Sequence, residues 1–192
     1  LFVNNDESFF YEIDKNSLNF SSVDRKKFDG YFDFKPFYLE ASFNYDGISA
    51  KDILKSDSIL VELLKSEILN NQNLNVNIDL NVKDITNIDY LNDLKLKLNL
   101  DQGNITFSKS KIQWKNDLEI NLKEGILNYN QDEIFLIGKL IINANNIGNF
   151  YKSFQIKKIH RKNIDKLELD FVYNFNKNKF NFDNVKIDNK TN

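Results

Sequence analysis

"LNVNIDLNV", Leu74 to Val82, changes from apolar to polar at every step. Leu74, Val76, Ile78, Leu80 and Val82 occupy one set of positions, and Asn75, Asn77, Asp79 and Asn81 the other. Successive side chains of an extended strand point to opposite faces, so the stretch reads as a strand with one face in oil and one in water. "LKLKLNL", Leu94 to Leu100, repeats the pattern, and "FYLEASFNY", Phe37 to Tyr45, precedes it with Phe37, Leu39, Ala41, Phe43 and Tyr45 in phase.

The alternation continues toward the C-terminus. "NITFS" follows Gly103, "KIQW" ends at Trp114, and "LEINL" (Leu118 to Leu122) and "GILNY" (Gly125 to Tyr129) read as two further strands. "EIFLIGKLIINA" places Ile134, Leu136, Leu140 and Ile142 in phase, and "LELDFVYNF" (Leu167 to Phe175) and "KFNFDNVKI" (Lys179 to Ile187) follow. The links "LDQGN", "KND", "NQDE" and "NKNK" have turn composition. Links this short make successive strands antiparallel neighbours. In the N-terminal part, "SFFYEI" and "FDGYFDF" have the same character with weaker phase.

Two segments change period. "SAKD", Ser49 to Asp52, has the form of a capping box, and Ile59, Leu60, Leu63, Leu64 and Ile68 then share one helical stripe. Ile147, Phe150, Tyr151 and Phe154 are also at helical spacing. The fold expected is mainly β with two short helical segments (α+β), near 49–70 and 146–156. The strands would form a long curved antiparallel meander, either an open groove or a sandwich. Residues 1–36 would supply preceding strands of the same sheet, and 37–192 the main β-rich domain.

Hydrophobic residues make up 41% of the 192 residues and charged residues 28%, which suits a folded chain with a sizeable core. The formal net charge of −2 lacks the basic excess that general nucleic-acid binding needs, so no nucleic-acid partner is expected. There is no Cys, which removes disulfides, thiolate metal sites and thiol nucleophiles. The most apolar run, Ile134 to Ala144, is too short to span a bilayer and carries Lys139. The chain opens at Leu1 without a Met and reads as a fragment of a longer chain, with any targeting sequence outside it.

Motifs that carry chemistry are missing. The six glycines form no dinucleotide, phosphate or nucleophile-elbow loop. His160, the single histidine, sits among Lys157, Lys158, Arg161 and Lys162 with no acidic neighbour to orient it, which suits an exposed loop residue better than a base. Paired carboxylates such as Asp132–Glu133 fall in turn-like polar stretches without the flanking pattern of a calcium loop. No enzyme, metal or cofactor is expected. Two candidate surfaces remain, each with two readings. Val76, Ile78, Leu80, Leu96 and Leu98 are either a lipid-contacting stripe or ordinary core beneath the Ile59–Ile68 helix. Lys157, Lys158, Arg161 and Lys162 either hold an anionic headgroup or form a solvated turn.

The order "PFYLEASFNYDGI", helix "ILVELLKSEIL", "NLNVNIDLNVKDI" resembles the AsmA-like family of bacterial envelope proteins, relatives of bridge-like lipid-transfer and TamB-type proteins. "LKLKLNLDQGNITFSKSKIQW" and "LIGKLIINANNIGNFYKSFQI" continue the likeness, with Gly103, "GNITF" and "IGKLII" in the places of that family's glycine-bearing strands. The resemblance covers Pro36 to Ile187 and transfers no catalytic signature. It implies a non-enzymatic periplasmic segment, anchored to the inner membrane by a helix outside this chain. The implied role is support of outer-membrane biogenesis or phospholipid transport through an apolar groove that holds acyl chains. The alternative is a structural or protein-interaction β module of the envelope that binds no lipid, with other envelope proteins as partners.

Overall fold

A computed structural model describes residues 9–22, 27–49, 71–88, 90–130, 133–188 and 190–191. The strands are β1 (Phe9–Ile13), β2 (Ser17–Ser22), β3 (Phe28–Phe34), β4 (Phe37–Ser49), β5 (Leu74–Thr86), β6 (Leu91–Asp101) and β7 (Asn104–Phe107). β8 (Ser110–Trp114), β9 (Leu118–Asn130), β10 (Glu133–Ala144), β11 (Lys166–Asn174), β12 (Lys179–Ile187) and β13 (Lys190–Thr191) complete the set. All belong to one sheet in nearly sequential order. The chain is mainly β, and the alternating stretches are strands as expected.

Three local features differ from the sequence reading. β4 and β5 run parallel, with Leu39 opposite Val76 and Phe43 opposite Leu80, so the sheet is mixed rather than antiparallel throughout. Parallel neighbours need a crossover of a dozen or more residues, and the stretch between Ser49 and Leu74 is long enough to provide one. The helix expected near 49–70 lies outside the described residues, apart from Ser49. That residue closes β4 opposite Thr86. "LEINL" and "GILNY" are one strand, β9, carrying a bulge at Glu124 (φ 58°). β2, "SLNFSS", was not expected as a separate strand and pairs between β1 and β3.

β7 and β8 occupy one strand position. Both lie between β6 and β9, in a single register against β9 (Ile105 with Leu127, Ser110 with Leu122), and are separated at Ser108–Lys109. Left-handed backbone at Asp93 (φ 49°), Lys109 (φ 52°), Glu124 and Asn184 (φ 50°) inserts residues into neighbouring strands. Such insertions raise local twist and bend a sheet. Among the described residues, half of the non-glycine residues with positive φ are Asn or Asp, the types that tolerate this region best. The tight turn at Gln102 (φ 50°) and Gly103 (φ 81°) has both central residues left-handed, the geometry that matches strand twist in a two-residue hairpin.

The second expected helix is present as α1 (Ile147–Ser153), followed by a 3₁₀ turn at Lys158–His160. The buried core lies on one sheet face: Val76, Leu100, Ile105, Leu127 and Ile134 form a cluster, with Leu39, Leu74, Ile78, Leu98, Phe107, Leu136 and Phe175 packed against it.

Candidate functional site

Because the strands keep their registers, the apolar sets line up across the sheet. One row runs Ile13, Leu18, Phe32, Leu39, Val76, Leu100, Ile105, Leu127, Leu136, Tyr173, Phe180, each opposite the next on the neighbouring strand. It crosses from β1 to β12 without a polar residue. Beside it runs a second row through Phe20, Gly30, Ala41, Ile78, Leu98, Phe107 and Gly125, resumed after the β9 bulge by Gly138, Phe171 and Phe182. Phe43, Leu80 and Leu96 begin a third. Glycines interrupt the second row where neighbouring side chains lean over the backbone. A Cβ on Gly30 would stand 2.2 Å from Phe20 Cζ and 2.8 Å from the Glu40 carbonyl oxygen.

The five residues singled out from the sequence share this face and touch across two strands, Ile78 opposite Leu98 and Leu80 opposite Leu96. Their environments differ. Val76 is buried in the core cluster, Ile78 and Leu98 pack against that cluster half-buried, and Leu80 and Leu96 are half-buried. The accessible part of the face lies at the ends of the rows on β1 and β12, and on β4 outside the two rows. Ile13 (68%), Phe37 (44%), Tyr45 (43%), Phe180 (50%) and Phe182 (54%) keep large fractions of their surface in solvent. Phe180 and Phe182 stack with centroids 5.7 Å apart, and Phe180 also stacks on Tyr173 at 4.3 Å. The sequence pattern marks these aromatics as inward-facing but carries no sign that they stay uncovered.

Helix α1 closes one end of the face. Phe150 and Phe154 lie 5.5 and 5.2 Å from Trp114, which stacks on Tyr90 at 5.0 Å. Tyr151 is buried. Trp114 is thus a half-buried aromatic at the end of β8.

The opposite face is polar from β2 to β7 and carries a network of short polar contacts. Asn77 Nδ2 donates to the Tyr38 hydroxyl (3.1 Å), which donates to Glu40 (2.8 Å), and Lys97 pairs with Asp79 at 3.0 Å. An open concavity of 1260 Å³ is lined by these residues, by others of β1 to β6 and by Ser108 and Lys109; it reaches Phe20, Gly30 and Ala41 of the second row but none of the five stripe residues. Farther along the sheet, Ile126, Ile137 and Val172 make this second face apolar too. Among the described residues three carboxylates ionise more readily than usual. Glu119 is lowered by hydrogen bonds from Asn121 and Lys111, Glu133 by those from Lys177 and Asn174, and Glu168 by that from Lys166.

Lys157, Lys158 and Lys162 are exposed on the loop after α1, and Arg161 is half-buried with its Nε donating to the Ile156 carbonyl oxygen at 2.8 Å. His160 is exposed on the same loop. Among the described residues no three His, Cys, Asp or Glu converge to hold a metal, and no helix is long and apolar enough to cross a membrane. No family model, curated protein or solved structure matches the chain.

Proposed function

We propose that this chain is a non-enzymatic β-rich segment of an AsmA-like envelope protein whose apolar sheet face takes up acyl chains. In that role it supports phospholipid transport or outer-membrane biogenesis from the periplasm, held at the inner membrane by a segment outside this chain. The observation that carries the reading is the pair of apolar rows running from strand to strand across the sheet, with exposed aromatics at their far end. An acyl chain laid across strands would meet carbon at every step and gain about 0.8 kcal/mol for each CH₂ removed from water. Headgroups would remain at the polar margin.

A second reading has its own support. Burial of Val76, Leu100, Ile105, Leu127 and Ile134 makes the middle of the face an ordinary core, as a structural or protein-interaction module requires. Lipid extraction from the purified protein separates the two. Acyl uptake requires the wild type to copurify with phospholipid or to take it up when added, and the Phe180→Asp/Phe182→Asp variant, whose changes fall on exposed side chains, to lose it. Ile78→Asp and Leu98→Asp, which place a charge against the core cluster, should unfold the chain in either case. Purified protein free of lipid that also takes up none from added phospholipid would leave the module reading standing.

A further inference from the structure

Between Ala144 and Asp165 the chain leaves the sheet, forms α1 and the 3₁₀ turn, and returns to β11. This excursion contains Lys152, Lys157, Lys158, Arg161 and Lys162 and no carboxylate, in a chain whose overall charge is −2. Among the described residues none of these cations is ion-paired. In their midst Ile159 is 83% exposed, more than any other large hydrophobic side chain described, and Phe154 is 53% exposed.

Their exposure is built into the loop. The buried Tyr151 donates its hydroxyl hydrogen to the Lys162 carbonyl oxygen (2.8 Å), and Arg161 Nε donates to that of Ile156 (2.8 Å). The backbone N–H of Ile156 donates to Tyr151 (2.9 Å), and that of His160 to Lys157 (2.9 Å). These bonds tie both flanks of the turn to the helix and hold Ile159 outward at its middle. An isoleucine fixed in water amid uncompensated cations matches one kind of partner, negatively charged at its surface and hydrocarbon just beneath. A free phosphate or a nucleic-acid backbone offers the charge but no hydrocarbon layer for Ile159.

We propose that this loop seats one end of the sheet on an anionic bilayer surface, with Ile159 and Phe154 entering the interface and Lys157, Lys158 and Lys162 among the headgroups. The attachment is independent of acyl uptake by the sheet, and either can fail alone. Trp114, the single tryptophan, has its ring 5.2 Å from that of Phe154 and so reports on the contact.

Flotation of the chain with phosphatidylcholine vesicles, with and without phosphatidylglycerol, tests this. Binding is expected only with phosphatidylglycerol, is expected to fall as salt is added, and should be accompanied by a change in Trp114 emission. Lys157→Gln/Lys158→Gln should weaken it by about fivefold for each charge removed. Ile159→Ser should weaken it about tenfold with the melting temperature unchanged. Phe180→Asp should leave it intact. Equal binding to both vesicle types, no binding, binding indifferent to these loop variants, or displacement by inorganic phosphate would each overturn the proposal.

Discussion

Truncating Leu100 to Ala should cost this protein about 2–5 kcal/mol, the range for removing a buried leucine side chain. Leu100 is 2% exposed and lies between Val76 (8%) and Ile105 (7%) in the cluster that also holds Leu127 and Ile134. Its neighbours are fixed laterally by strand pairing, Val76 opposite on β5 and Ile105 opposite on β7, so the cavity has little room to collapse. The adjacent Asn99 points to the other face, where its Nδ2 donates to Ser108 Oγ at 3.2 Å, and Asn99→Ala should change stability by no more than about 1 kcal/mol. Urea unfolding followed by far-ultraviolet circular dichroism measures both. For a chain of this size a loss near 3 kcal/mol lowers the melting temperature by roughly 6–12 °C. Equal effects, or a larger loss from Asn99→Ala, would refute the reasoning. A one-residue slip in register exchanges the faces of a strand, and that is the error such a result would expose.

Other consequences can be checked separately. Gly30→Ala should destabilise by about 1–3 kcal/mol in the same assay, because the new methyl meets the Phe20 ring and the Glu40 carbonyl oxygen. Gly103→Ala, at φ 81° in the β6–β7 turn, should cost about 1–2 kcal/mol by thermal melting. The folded-state pKa of Glu119 is lowered, so its contribution is present above the unfolded value and lost as pH falls through the folded one. Glu119→Gln should therefore remove part of the stability lost on acidification below about pH 4.3, seen as a shallower melting-temperature profile against pH. Phe182→Asp should leave the melting temperature nearly unchanged, because the side chain it replaces is half in solvent.

Strand positions were legible because period-two alternation follows directly from backbone geometry; Lys179 to Ile187 is a strand over the residues its alternation marks. Strand direction was not legible, since alternation looks the same parallel or antiparallel, and the β4–β5 pairing depends on a connection rather than a pattern. In β9 the apolar phase shifts from Leu118, Ile120 and Leu122 to Leu127 and Tyr129. A turn and a bulge both produce that shift, and only pairing with β7 and β8 on one side and β10 on the other distinguishes them. β2 escaped notice because three of its six residues are serines. Of the candidate surfaces, the stripe from Val76 to Leu98 was legible as one face. How much of it stays accessible depends on side chains from distant strands, so Phe180 and Phe182 could not be told from Val76. The basic loop was visible as a run of charge, whereas the outward hold on Ile159 comes from hydrogen bonds from Tyr151 to Lys162 and from Arg161 to Ile156 that leave no mark in the sequence.

Photo-crosslinking with a phospholipid that carries a diazirine on its acyl chain, followed by peptide mapping, tests acyl uptake most directly. Adducts are expected on the accessible parts of the apolar face, at Phe37 and Tyr45 on β4 and at Phe180 and Phe182 on β12, and should be competed away by unlabelled phospholipid. Adducts confined to the polar concavity around Tyr38 and Asn77, or scattered without competition, would contradict it.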